Sequence, residues 1–553
     1  MSSSRSPLLL IALLALLILS LWQLQGDEQG ITRESLHVGE TPVTVYRGED
    51  RGEDRGEDRG QARGPAPVVL VAHGFAGSRR LMEPFALALA GSGYVVVTYD
   101  FLGHGRHPLP MRGDLMEQDG TPAFLIRQTG EVAEVALGLP GVDGRLAVVG
   151  HSMATNILVR YAQEDPRVTA TVGVSTFAPT VDETSPRNLL AIAGALEGRL
   201  EAEGRRMVAM RTGGEPESVT AFTTYGDLSE GSARRLVVSP RVEHVGVLYS
   251  ATTLDETRRW LDGAFGREGQ DPLPGRAHGR GLWIALLMTT VFLLARPLAA
   301  GLPRVTQTPG GADAPWRRLF LVAGLPALVT PLLLRPLPTG FLPVVVGDYL
   351  AVHFFTVGVL TAGLLWWTGG RPGMGRIMGR ILGPSPESSP ESSPESSLER
   401  AGARGPVALR VLLGAAGMVA FFLVLMAWPL DRFFTSFFPV AERLPLMLAV
   451  LVGTLPYFLA DEWLTRGANA RRGAYAFTKV LFLLSLVLAV GLDFQALFFL
   501  IIIFPVILVF FLVHGLFSRW AFRSTGSPLV AGLGNAAAFA WAMAVTFPMY
   551  AGV

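Results

Sequence analysis

Beyond residue 280 the chain is a succession of long apolar runs separated by short polar loops, and this constrains its folding more than any other feature. A run of about twenty apolar residues is long enough to cross a bilayer as a helix. Within the bilayer a helix satisfies every backbone amide internally. The runs are Leu282–Ala300, Leu319–Leu334, Leu342–Trp367, Val407–Trp428, Leu444–Trp463, Tyr475–Leu492, Phe494–Phe517 and Leu529–Tyr550. They predict an all-α transmembrane bundle of about eight helices. A further run, Pro7–Leu24 after Arg5, has no small-x-small site in Trp22–Gly26, so residues 1–26 read as an uncleaved signal anchor.

Residues 27–280 differ in composition: they are globular, while half of the 553 residues are apolar and mean hydropathy is +0.38. The expected organisation is an anchor over 1–26, a folded domain over 27–270, membrane helices over 281–368, a linker over 369–405 and membrane helices over 406–553. A net charge of +1 gives no reason to expect nucleic acid. With no cysteine, disulfides, thiolate catalysis, cysteine metal sites and an N-terminal lipidated cysteine are excluded.

Loop charge predicts orientation, because cytoplasmic loops are enriched in Lys and Arg. With the N-terminus inside, the inner loops and their margins hold Arg304, Arg317, Arg318, Arg371, Arg376, Arg380, Arg400, Arg404, Arg466, Arg471, Arg472, Lys479, Arg519 and Arg523. The outer loops hold Arg335, Arg432 and Arg443. Arg267, Arg276 and Arg280 run against the trend, but they end a large translocated domain. The expectation is a multi-pass protein of the plasma (inner) membrane, with domain 27–270 and the C-terminus outside the cytoplasm. Two repeats, Gly48-Glu-Asp-Arg to Gly60 and Pro386-Glu-Ser-Ser to Ser397, lack the apolar content to pack and are expected to be disordered.

Domain 27–270 alternates strand and helix patterns, which predicts a parallel sheet covered on both faces. Val43–Tyr46, Val68–Ala72, Tyr94–Tyr99, Arg145–Val149, Leu189–Ala193 and Arg235–Ser239 read as strands. Met82–Leu89, Thr155–Gln163 and Leu254–Phe265 read as helices. Gly150-His151-Ser152-Met153-Ala154 sits between strand and helix, the context of a G-x-S-x-G nucleophile elbow, with Ala154 replacing the second glycine.

Three motifs occur in order: His73-Gly74-Phe75 after a strand, Asp100…Gly103-His104-Gly105 after the next, and the elbow at Ser152. Together they resemble the α/β-hydrolase superfamily over about residues 36–265. The resemblance implies a doubly wound, mostly parallel sheet and a catalytic acid and histidine that both follow the serine. Glu197, just past strand Leu189–Ala193, is then the candidate acid, with Asp182 and Glu183 as rivals. Asp255 breaks the family order. His244 is the candidate base. Backbone N–H groups of Phe75 and Met153 are the candidate oxyanion donors, and no metal or organic cofactor is implied.

A serine hydroxyl needs this assembly because it is a poor nucleophile until a base takes its proton. The carboxylate fixes the imidazole tautomer and stabilises the imidazolium. His151 reads as an elbow-packing residue and His73 as structural, while His104 and His107 either line the pocket or face water. The 92 residues from Ser152 to His244 hold two predicted strands, helices and no large cap, which resembles lidless dienelactone-hydrolase-like members. The loop Arg106–Asp119, with Met111, Leu115 and Met116, is expected to cover part of the pocket. Serine as nucleophile argues against epoxide hydrolase or haloalkane dehalogenase chemistry.

The expected activity is cleavage of an ester or related acyl bond in a small-molecule or lipid-like substrate at a bilayer. Peptidase and acyltransferase chemistry, and a non-catalytic ectodomain on a transport or assembly protein, are the alternatives. Protein partners are not readable. In the membrane half, Asp348 and His353 lie about 140° apart on one helix. Asp461-Glu462 is expected to form an interfacial cap and an ion pair with Arg466. His514 lies near a cytoplasmic helix end and Asp493 in a short external turn.

Overall fold

The computed structural model describes residues 6–49, 65–115, 117–267, 277–338, 340–368 and 405–552. Most of the first repeat, all of the second, Met116, Arg276, Arg371, Arg376, Arg380, Arg400 and Arg404 lie outside the described residues. The chain divides into two compact units. One contains Ala15–Met288, Pro429–Val440 and Pro548–Val553, and the other contains Met1–Leu14, Thr289–Trp428 and Ala441–Phe547.

The first unit is built on a nine-stranded sheet of order β1-β2-β4-β3-β5-β6-β7-β9-β8. Its strands are β1 Ile31–Val38, β2 Thr41–Gly48, β3 Ala66–Ala72, β4 Val95–Tyr99, β5 Val142–His151, β6 Val168–Val174, β7 Leu189–Gly194, β8 Thr224–Tyr225 and β9 Arg234–Ser239. The strands from β4 to β9 along the sheet pair in parallel, whereas β1, β2 and β8 pair antiparallel at the edges. The central strands are apolar on both sides, as a sheet covered on two faces requires.

Alternate residues separate into two cores, following the period-two geometry of a strand. Val69, Val71, Val149, Val172 and Ile192 pack with Phe85 of the helix Glu83–Gly91 and Trp260 of the helix Ala251–Ala264. Val68, Leu70, Leu146 and Val148 pack with Leu125 and Val132 of Thr121–Leu137 and with Ile157 and Leu158 of Met153–Glu164. The helix Gly198–Thr212 covers β7 and β9 through Met207 and Val208. The interval from Ser152 to His244 holds β6, β7, β8 and β9, rather than two strands.

A charged cluster lies inside this unit. Arg280 is fully buried and contacts Glu83, Glu28 (3.3 Å) and the Leu24 carbonyl (3.2 Å). Arg33 reaches Glu83 at 2.8 Å, and Arg432 pairs with Glu28.

Among the described residues, nine helices are long and apolar enough to cross a membrane, and they support membrane association. Six of the nine lie wholly in the second unit: Trp316–Leu334, Gly347–Trp367, Ala441–Thr465, Ala474–Leu492, Phe499–Thr525 and Pro528–Thr546. The remaining three, Leu8–Gly26, Arg280–Ala299 and Val407–Phe433, are each shared between the two units. Several expected boundaries move: one span begins at Gly347 rather than Leu342, the Val407 span runs on to Phe433 rather than Trp428, and the Phe499 helix runs on to Thr525 rather than Phe517. Phe494–Leu497 is a separate short helix capped by Asp493, and the final span ends at Thr546 rather than Tyr550.

Several charged and polar groups inside the helical unit are partnered. Glu462 pairs with Arg466 at 3.2 Å, as expected, but Asp461 turns inward to Lys479 (2.5 Å) and Thr478 (2.7 Å). Lys479 is therefore an interior residue and not a loop-margin charge. Asp348 accepts the Phe341 and Tyr349 N–H groups, His353 meets Ser485 at 3.1 Å, and His514 meets Asn535 at 3.2 Å.

Candidate active site

Ser152 links β5 to the helix Met153–Glu164 with φ 54° and ψ −119°, a conformation that a non-glycine residue adopts only when its surroundings enforce it. Its N–H is held by the Val174 carbonyl at 2.9 Å, so neighbouring β6 fixes the turn. Ala154 is completely buried, and the methyl that replaces the second glycine is accommodated.

The carboxyl ends of β7 and β9 deliver the other groups. His244 Nε2 lies 2.9 Å from Ser152 Oγ, and His244 Nδ1 lies 2.6 Å from Glu197 Oε1. Glu197 Oε2 accepts hydrogen bonds from the Gly194 N–H (2.7 Å) and the Ser175 hydroxyl (2.8 Å). Burial pushes this carboxyl up, but the bonds from His244, Gly194 and Ser175 outweigh it and hold the group below the ordinary glutamate value. Ser152, His244 and Glu197 thus form one hydrogen-bonded chain.

The rival acids lie elsewhere. Asp182 accepts bonds from Thr184 and Ser185, Asp255 pairs with His278 at 3.0 Å, and Glu183 is exposed. Sequence reasoning passed over Ser175, which is buried at the end of β6 with φ 53°. Its position next to the strand carrying the acid was the available signal.

His151 is buried and donates Nε2–H to the His244 carbonyl at 2.8 Å. Burial, with His244 adding to it, pushes its imidazole down to about 3. His73 is buried between the Gly74 carbonyl and the Phe101 N–H, and burial lowers its pKa. His104 and His107 are both buried, so neither faces water. His107 accepts the Leu109 N–H, and burial pushes it down to about 4.

The loop bearing Phe75 lies against the nucleophile. A Cβ built on Gly74 would stand 2.9 Å from Ser152 Cβ, so glycine is required for this approach. Met153 opens a helix, and its N–H is among the first-turn amides that lack an intrahelical acceptor. Of the loop Arg106–Asp119, Met111 is fully buried and pairs with the tail at Tyr550. Among the described residues, no three His, Asp or Glu side chains converge as a metal-ligand set.

Residues 63–210, about a quarter of the chain, match the family Hydrolase_4, described as serine aminopeptidase, S33. The matched stretch contains Ser152 and Glu197 and ends before His244. No curated protein matches the chain. An epoxide hydrolase mutant from Vigna radiata is similar at 22% identity over 28% of this chain and 41% of its own, with a TM-score of 0.21. A membrane phospholipase A, described as a bacterial virulence factor, is similar at 20% identity over 32% of this chain and 49% of its own, with a TM-score of 0.20. A candidate lipase from Acinetobacter baumannii AYE is similar at 14% identity over 46% of this chain and 97% of its own, with a TM-score of 0.29. The chain spans less than half the length of the first two. The sheet and the family match support an α/β-hydrolase fold and a hydrolase reaction for the sheet-bearing unit.

Proposed function

We propose that this protein is a membrane-anchored serine hydrolase that cleaves ester or related acyl bonds through an acyl-enzyme on Ser152. The observation that carries the reading is the unbroken hydrogen-bond chain from Ser152 Oγ through His244 to Glu197, at 2.9 and 2.6 Å.

His244 takes the serine proton as Oγ attacks the acyl carbon, then gives it to the leaving group as the scissile bond breaks. Water, activated by the same imidazole, releases the acyl group and restores Ser152. Glu197 orients the ring and stabilises the imidazolium. The Phe75 and Met153 N–H groups hold the developing oxyanion, each worth about 3 kcal/mol.

The substrate reading is an acyl group of lipid-like character. Phe177, Leu196 and Val245 follow β6, β7 and β9 in turn, on the sheet edge where β5 ends at the elbow. They are 60%, 69% and 37% exposed. The loops at this edge of the sheet thus carry exposed apolar side chains as well as the catalytic groups. The arginine bias of the loops supports an N-terminus inside and a hydrolase outside the cytoplasm, at the plasma membrane.

A fluorophosphonate probe applied to membranes bearing the full chain tests the nucleophile. Labelling is expected to vanish in Ser152→Ala and to persist in Ser218→Ala, an exposed control; labelling that survives Ser152→Ala overturns the reading. The aminopeptidase description of the matched family favours one second reading, a peptidase. Turnover of aminoacyl amides in preference to acyl esters would select it.

A further inference from the structure

Two segments far from the sheet domain in sequence belong to its compact unit: Pro429–Val440, which includes the end of one candidate membrane helix and the connection to the next, and Pro548–Val553. Their contacts converge on the two loops beside the nucleophile.

The connection reaches the loop that begins at His73. Ser78 ends that loop and is almost fully buried. Ser78 Oγ shares a hydrogen bond with Thr435 Oγ1 at 3.0 Å and accepts the Ser436 N–H at 2.9 Å. Phe434 stacks on Tyr249, a few residues past His244, at 6.3 Å and 13°. Asp431 shapes the connection by accepting the Phe437 and Phe438 N–H groups at 2.8 and 3.1 Å. Its other oxygen receives Arg106 at 2.7 Å. The Arg106 N–H in turn donates to Asp100, which also binds Arg79 next to Ser78.

The tail holds the second loop. Met549 donates to the Gly103 carbonyl at 2.8 Å, Met111 donates to the Met549 carbonyl at 2.9 Å, and Ala551 donates to the Met111 carbonyl at 3.0 Å. A Cβ on Gly103, whose φ is +73°, would collide with the Met549 carbonyl, so this close approach requires glycine. The loop so pinned carries Phe101, whose N–H fixes His73 at 3.1 Å, and His104, whose ring meets His73 at 5.2 Å and Phe75 at 5.7 Å.

We infer that residues 431–436 and 549–551 position the oxyanion loop 73–78, so that the hydrolase site is completed by segments adjoining the membrane helices. Ser78 and Asp431 are positioning residues: they act on the Phe75 N–H through the loop backbone and touch no reacting atom. The physical basis is that an oxyanion donor contributes only when fixed within a few tenths of an ångström of the developing charge. Loop 73–78 is anchored at its start by β3 and at its end by Ser78, and the Ser78 hydroxyl is bonded to the connection 429–440. The inference rests on Ser152 being the nucleophile. It also assigns the membrane-linked segments a part in catalysis beyond anchoring.

The test uses the full chain in detergent, with an acyl ester as substrate and the fluorophosphonate-reactive fraction counting intact sites. Ser78→Ala and Asp431→Asn are each expected to lower kcat about tenfold with KM within about twofold, because a shifted donor is lost in the transition state and not in binding. Ser78→Thr, which keeps the hydroxyl, is expected to restore most of the rate. Truncation after Pro548 is expected to lower kcat in the same way. Wild-type kcat in both Ser78→Ala and Asp431→Asn overturns the inference. So does a loss of rate that matches the loss of reactive sites, since that reports stability alone. Failure of the nucleophile reading is separate: it shows as full activity in Ser152→Ala.

Discussion

Ser175 donates its hydroxyl to Glu197 Oε2 at 2.8 Å, the carboxylate oxygen that His244 does not use. With the Gly194 N–H on the same oxygen, the carboxylate is held at both ends. Glutamate is longer than aspartate by one methylene and has one more torsion to restrain, which this second contact does.

Ser175→Ala is therefore expected to lower kcat/KM about tenfold, the cost of one hydrogen bond to a charged group. Glu197→Gln is expected to cost about a thousandfold or more, because it also disturbs the imidazole tautomer. Steady-state ester hydrolysis by the full chain measures both. An unchanged rate in Ser175→Ala would remove it from the positioning set.

Acid should destabilise the sheet-bearing unit well above the carboxylate range. His151 faces His244, Glu197 and His73, and burial holds its pKa near 3 against an ordinary 6.5. Between those values the unfolded chain binds a proton that the folded chain does not, so stability falls as pH drops through that window. Glu197, held below its ordinary value, adds to the loss as pH falls through its folded pKa. The melting temperature is expected to fall between about pH 7 and about pH 5, with a shallower slope in His151→Gln.

Much of the sheet was legible because its strands are short, β-branched runs buried on both faces. The polar β1 (Ile31–Val38) was not, since an edge strand lacks that signature. The helix Gly198–Thr212, rich in arginine and glutamate, carried little apolar periodicity and was missed as well. Ser152, Glu197 and His244 could be proposed because each follows a recognisable strand. Ser175 has no partner nearby in sequence, and Lys479 meets Asp461 on a different helix, so neither contact has a local trace. The same holds for Ser436 and Met549, which meet Ser78 and Gly103 from more than 350 residues away.

The exposed apolar side chains on the loops that follow β6 and β7 have a measurable consequence. Phe177→Ser and Leu196→Ser are each expected to lower kcat/KM about tenfold for a decanoyl ester, the value of burying part of one large side chain. Acetyl ester turnover is expected to stay within about twofold, because a two-carbon group offers little apolar surface to bury. Equal effects on both esters would count against a lipid-like substrate.

The buried cluster around Arg280 should dominate stability among the ion pairs. Arg280→Met removes a fully buried cation from Glu83 and Glu28 and is expected to destabilise by about 3–5 kcal/mol. Arg259→Met breaks a pair whose arginine is 63% exposed, and is expected to cost under about 0.5 kcal/mol. Denaturant titration of the two variants compares them directly.

The central claim is an acyl group carried on Ser152, and peptide mass spectrometry of the full chain, acid-quenched during ester turnover, tests it most directly. The account predicts the acyl mass on the peptide containing Gly150–Ala154, absent from Ser152→Ala. Turnover with no adduct on that peptide, or an adduct that persists in Ser152→Ala, would contradict it.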